Sequence, residues 1–85
     1  MKINATVLKT VSGCSKPMAD FAAIEASELQ EDALDKAMKA LHVTGKVDAR
    51  WPTQLIDEDE TIIGVIYCVF GDDGAEYRFI LEEVY

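Results

Sequence analysis

The chain has 85 residues, enough for one domain around one core. Hydrophobic residues make up 49% of it, which excludes a disordered chain. Eight basic residues stand against 16 acidic ones, a net charge of -8. That balance lacks the basic footprint of direct nucleic-acid binding and favours encounter with basic partners.

Residues 2–11 alternate, with Ile3, Ala5, Val7 and Val11 on one side and Lys2, Asn4, Thr6 and Thr10 on the other. A period of two predicts a half-buried strand. Leu8 and Lys9 interrupt it, which points to a bulge or twist. Gly13 and Pro17 punctuate a loop over 12–18, and residues 20–26 read as a short strand, with helix as the rival because of the alanines.

Ser27-Glu28-Leu29-Gln30 matches a capping box and places a helix start at Ser27. The helix continues to about Leu41, because Leu29, Ala33, Leu34, Ala37, Met38 and Leu41 form one stripe. Glu28, Glu31 and Asp32 crowd its first turns and Lys36, Lys39 and His42 its last, in the order the helix dipole favours. Asp32 with Lys36 and Asp35 with Lys39 give i,i+4 pairs, and Gly45 stands where a helix stop is expected.

Residues 46–51 alternate again, with Val47, Ala49 and Trp51 together, until Pro52 ends that strand. Asp57 to Glu60 form an acidic loop. Residues 61–70 are a strand apolar on both sides: Ile63, Val65, Tyr67 and Val69 alternate with Ile62, Ile66, Cys68 and Phe70. Gly71-Asp72-Asp73-Gly74 is a hairpin turn, and 75–85 return with Tyr77, Phe79, Leu81 and Tyr85 on one face and Ile80 and Val84 on the other. The loop holds two or three residues, so the matching of the two strands' faces stays open.

The predicted fold is a single α+β domain over residues 1–85. It has a four- or five-stranded, mostly antiparallel sheet with one helix on one face, in the order β-β-α-β-β-β. One helix covers one sheet face, so the other face must meet loops, its own curl or another molecule.

Chemical sites are sparse. Cys14 with the lone His42 lacks the orienting third group of a nucleophile and base pair. The acidic runs lack the spacing of a calcium loop, and the Gly71–Gly74 turn has no helix start to receive a phosphate. Trp51 beside Arg50 could stack a base but suits a core. No catalysis, metal or cofactor is expected.

Two cysteines do not make a disulfide framework, and Cys68 lies in an apolar run as a small core residue. Val11-Ser12-Gly13-Cys14 matches a bacterial lipidation site, but the polar residues before it do not form the apolar segment such a site needs. The expectation is a protein of the bacterial cytoplasm with no membrane partner.

A strand through Phe21-Ala22-Ala23-Ile24-Glu25-Ala26-Ser27 leads into Glu31-Asp32-Ala33-Leu34-Asp35-Lys36-Ala37, and a meander then closes the chain. This pattern resembles several small phage or mobile-element proteins, the anti-CRISPR inhibitors among them. The resemblance implies a stoichiometric inhibitor that blocks the basic groove or the assembly of a nucleic-acid-processing complex. It assigns no functional residue.

The acidic balance fits such a mechanism, with carboxylates taking arginine and lysine sites meant for phosphates. The candidates are Asp57, Glu58, Asp59, Glu60, Asp72, Asp73, Glu82 and Glu83. The alternative is a homodimeric accessory or antitoxin-like protein. Its apolar face would be built from Ile63, Val65, Tyr67, Val69, Ile80 and Val84, and its association would be insensitive to salt.

Overall fold

The computed structural model describes residues 1–10, 18–48 and 52–84, so the expectations for Cys14, Arg50, Trp51 and Tyr85 lie outside the described residues. Strands β1 (Lys2–Thr10) and β2 (Met18–Glu25) precede helix α1 (Glu31–Ala40). Strands β3 (Gly45–Val47), β4 (Thr53–Ile56), β5 (Ile62–Gly71) and β6 (Glu76–Val84) follow it. The fold is the expected α+β domain, but its sheet has six strands where four or five were predicted. The added strand is β4, which starts immediately after Pro52 and pairs with β5 alone; proline is tolerated before an edge strand because it withdraws no central ladder bond.

All pairings are antiparallel, in the order β2-β1-β6-β5-β3, with β4 sharing β5's outer edge. β4 takes the first half of β5 and β3 takes the last residues. No bulge interrupts β1 at Leu8 and Lys9, which keep continuous register with both β2 and β6. Lys9 breaks the apolar pattern because its ammonium has partners on the same face, Asp73 at 3.2 Å and the ring of Tyr77.

The turn between β5 and β6 settles how the faces match. Gly71 pairs with Ala75 through its N–H, and Gly74 adopts a left-handed φ of 84, so the loop holds three residues. Val69 then stands opposite Tyr77 and Tyr67 opposite Phe79. A two-residue loop would have shifted the register by one and turned Tyr77, Phe79 and Leu81 to the other side. The helix-covered face therefore collects Ile3, Ala5 and Val7 from β1, Val65, Tyr67 and Val69 from β5, and Tyr77, Phe79 and Leu81 from β6, all buried.

Helix α1 closes this core with Ala33, Leu34 and Ala37, while Leu29, Met38 and Leu41 pack at its margin. Phe79, Leu81, Leu34 and Ile3 are fully enclosed, and truncating such a side chain costs about 2–5 kcal/mol.

Both helix ends differ from expectation. Ser27 caps nothing: the N-cap is Gln30, which makes no side-chain cap bond. Ala26 is still tied to the sheet by Met1, its N–H donating to the Met1 carbonyl at 3.1 Å and its carbonyl accepting from the Met1 amino group at 2.7 Å. The chain must then climb from the sheet to the helix layer, and residues 27–29 in extended form reach about 10 Å.

At the other end His42, not Gly45, takes the left-handed position, with φ 55. Its N–H donates to Lys39 and that of Val43 to Met38, and Val43 is buried, the pattern of a Schellman stop. Gly45 instead lies in β3, where a Cβ would run into the Phe70 carbonyl and the Gly71 backbone.

Candidate interaction surface

β5 is ten residues long, so the turns at its two ends lie about 30 Å apart. The eight candidate acidic residues divide between those ends. Asp57, Glu58, Asp59 and Glu60 form the β4–β5 turn, with Glu82 and Glu83 nearby on the last part of β6, where Glu82 pairs with Gly64. Asp72 and Asp73 lie at the far end. The structure thus brings six of the eight to one end of the molecule and places two at the other.

Not all of these carboxylates are free. One oxygen of Asp57 accepts the N–H groups of Asp59 at 2.9 Å and Thr61 at 3.0 Å, holding its own turn together. Glu58, Asp59 and Glu60 are exposed. Asp73 is engaged at both oxygens: one accepts the Ala75 N–H at 3.0 Å, the other the Tyr77 hydroxyl at 2.7 Å and the Lys9 ammonium at 3.2 Å. These partners, the Ala75 amide first, lower its pKa to about 2. Asp73 therefore latches its own turn while its side chain stays half exposed. Lys9 is raised in turn, chiefly by the Tyr77 hydroxyl and then by Asp73.

The six apolar candidates do not share one face. Val65, Tyr67 and Val69 lie in the core under α1, with Ile63 half-buried on the same side. Ile80 and Val84 lie on the opposite, helix-free face, where Val84 is 49% exposed. The three-residue turn is the reason for the division. The helix-free face draws its apolar character from other residues: Phe21, 73% exposed, and Phe70, 50% exposed, with Ile66, Cys68 and Leu8 half-buried. Ile66 and Ile80 pair directly across the strands, and Thr6 and Phe21 continue the same row. Cys68 is a free thiol on this face.

A groove of about 670 Å³ opens at the acidic end, between the start of α1 and the first residues of β5. Its walls carry Glu28, Glu31 and Asp32 from the helix start and Glu83 from β6; Tyr67 and Val65 lie at its base, and Met1, Leu29, Pro52 and Ile62 form apolar margins. No lysine or arginine side chain among the described residues lines it. The Met1 amino group is occupied by the Ala26 carbonyl, and Lys36 lies 3.6 Å from Asp32 while also donating to the Glu25 carbonyl.

Tyr67 is 7% exposed, and burial first, then the Glu31 carboxylate, raise its pKa, so its hydroxyl stays protonated. The sequence places Glu28 and Glu31 as dipole partners, Asp32 as a dipole partner and the i,i+4 partner of Lys36, and Tyr67 as an apolar residue. Their meeting with Glu83 depends on the β5–β6 register and the helix position, for which the local pattern holds no signal.

Among the described residues no group of His, Cys, Asp and Glu side chains is arranged to hold a metal ion, and no helix is long and apolar enough to cross a membrane. No protein-family model matches the chain, and no curated protein or solved structure is significantly similar to it.

Proposed function

We propose that the protein is a binding module that acts by stoichiometric occupancy, using its acidic end to cover a basic surface of another protein. The observation that supports this most is charge segregation along the sheet. Glu58, Asp59, Glu60, Glu82, Glu83 and Glu31 gather at one end and outnumber Lys2 and Lys36 there, while at the other end Lys9, Lys39 and Lys46 offset Asp72, Asp73 and Glu76. Such a charge dipole orients an approaching basic partner and speeds encounter. In the form implied by the resemblance to anti-CRISPR inhibitors, the basic surface is the nucleic-acid groove of a host defence complex, and the carboxylates stand in for phosphates.

The test is the salt dependence of binding to a partner captured from the bacterial host. Affinity should fall steeply between low and physiological ionic strength, as screening shortens to about 8 Å. Affinity independent of salt would reject the acidic surface as the contact.

One observation favours a second reading. The helix-free face exposes Phe21 in the row of Ile66 and Ile80, with Phe70 and Val84 toward its two ends, an apolar face that suits a second copy of the chain. Sedimentation separates the two readings: a stable dimer at micromolar concentration that persists in high salt supports the second, and a monomer that binds its partner supports the first.

A further inference from the structure

We propose that the groove at the start of α1 is an arginine-binding site, in which Glu31, Glu83 and the Tyr67 hydroxyl receive the guanidinium of a basic protein partner. The proposal rests on the acidic-module reading above and names where and how the partner is gripped. Two independent observations carry it. The first is composition: carboxylates line the groove with no described lysine or arginine side chain among them.

The second is Tyr67. Its side chain is more than nine-tenths buried, yet its hydroxyl has no hydrogen-bond partner among the described residues. No fully enclosed side-chain oxygen among those residues lacks a partner, so this hydroxyl opens onto the groove. The ring is held by the core while the hydroxyl faces the groove with no partner in its own chain, so it can both donate to and accept from a group that enters there.

The chemistry selects the cation. The carboxylates are too dispersed to converge on one metal ion. A guanidinium spreads five N–H donors over a plane and can reach separated acceptors, while its faces pack on apolar and aromatic surface. The groove supplies both, with acceptors on Glu31, Glu83 and Tyr67 and an apolar margin at Met1 and Leu29. An ammonium, a compact and strongly hydrated point charge, uses fewer of these contacts.

The test is an NMR titration of the full chain with a short arginine-rich peptide at low salt, beside matched peptides in which lysine or citrulline replaces arginine. The arginine peptide should give saturable shifts at Glu31, Tyr67 and Glu83. The lysine peptide should bind more weakly and the citrulline peptide not at all. Tyr67→Phe, which removes no internal bond, should keep the fold and weaken binding severalfold, and Glu31→Gln with Glu83→Gln should weaken it by about tenfold or more.

Shifts confined to Glu58–Glu60 and Glu82, with both variants binding normally, would overturn the groove while leaving the acidic-module reading standing. Equal affinity for arginine and lysine would overturn the guanidinium assignment. Absence of any saturable binding would also overturn the groove, and the salt test on the captured partner then decides the wider reading separately.

Discussion

The two hairpin turns that bracket β5 share one backbone scheme and differ in what fills it. In each, the first residue donates its N–H to the carbonyl four residues on, Asp57 to Thr61 at 3.0 Å and Gly71 to Ala75 at 2.8 Å. In each, the fourth residue donates back to the first, Glu60 to Asp57 and Gly74 to Gly71, both at 3.1 Å. The fourth position is left-handed in both turns, φ 62 at Glu60 and φ 84 at Gly74.

At Gly74 that conformation carries no Cβ penalty, and Asp73 beside it is locked to Ala75, Tyr77 and Lys9. At Glu60 a side chain is forced into the same region, and its neighbours Glu58 and Asp59 are exposed. One turn is built for stability. The other is also tied, by the Asp57 oxygen that accepts the Asp59 and Thr61 N–H groups, but it holds a non-glycine residue in the left-handed region and leaves Glu58, Asp59 and Glu60 exposed.

That contrast can be broken at several places. The largest effect belongs to Gly74→Val: a β-branched residue at φ 84 should destabilise the chain by about 2 kcal/mol, lowering the melting temperature by about 10 °C. The mirror experiment, Glu60→Gly, should stabilise by about 1 kcal/mol, read as a rise of about 4–8 °C, because it releases the strain the acidic turn carries. A loss of stability in that variant would remove the argument from strain.

Asp73→Asn should lower stability at neutral pH and flatten the acid limb of the stability curve. The sign follows from the depressed pKa: the contribution of ionised Asp73 is complete above the ordinary carboxylate value of about 4 and fades as the pH falls toward about 2. Thermal melts across that window, wild type against variant, should converge at the acid end. The smallest effect is expected at Glu58→Gln, which should leave stability within about 0.5 kcal/mol while weakening partner binding.

Local pattern carried much of the architecture. The stripe from Leu29 to Leu41 and the alternation of Ile3, Ala5 and Val7 identify the helix and the first strand, because each element buries one face. The misses have a common physical root in long-range choices. Ser27 has the chemistry of a cap, but Ala26 is pinned to Met1 and the helix cannot start there. Gly45 has the conformational freedom of a helix stop, but close approach to Phe70 uses it elsewhere and leaves the stop to His42.

Whether Val65, Tyr67 and Val69 are core or surface turns on one residue of loop length, which Gly71-Asp72-Asp73-Gly74 allows in either form. The acidic character was visible in composition, but its gathering at one end was not. Glu31 and Glu83 are joined only by the folded topology, and Asp73, in the β5–β6 turn, is engaged by Lys9 of β1 and Tyr77 of β6.

The central claim is that the two ends of the sheet are unequal in function, and it is tested most directly by charge reversal at each. Affinity for the captured partner is measured for Glu58→Lys with Asp59→Lys and Glu82→Lys at the acidic end, and for Asp72→Lys with Glu76→Lys at the other. The account predicts that the first set abolishes binding and the second leaves it nearly intact. Equal losses from both sets, or a greater loss from the second, would contradict it.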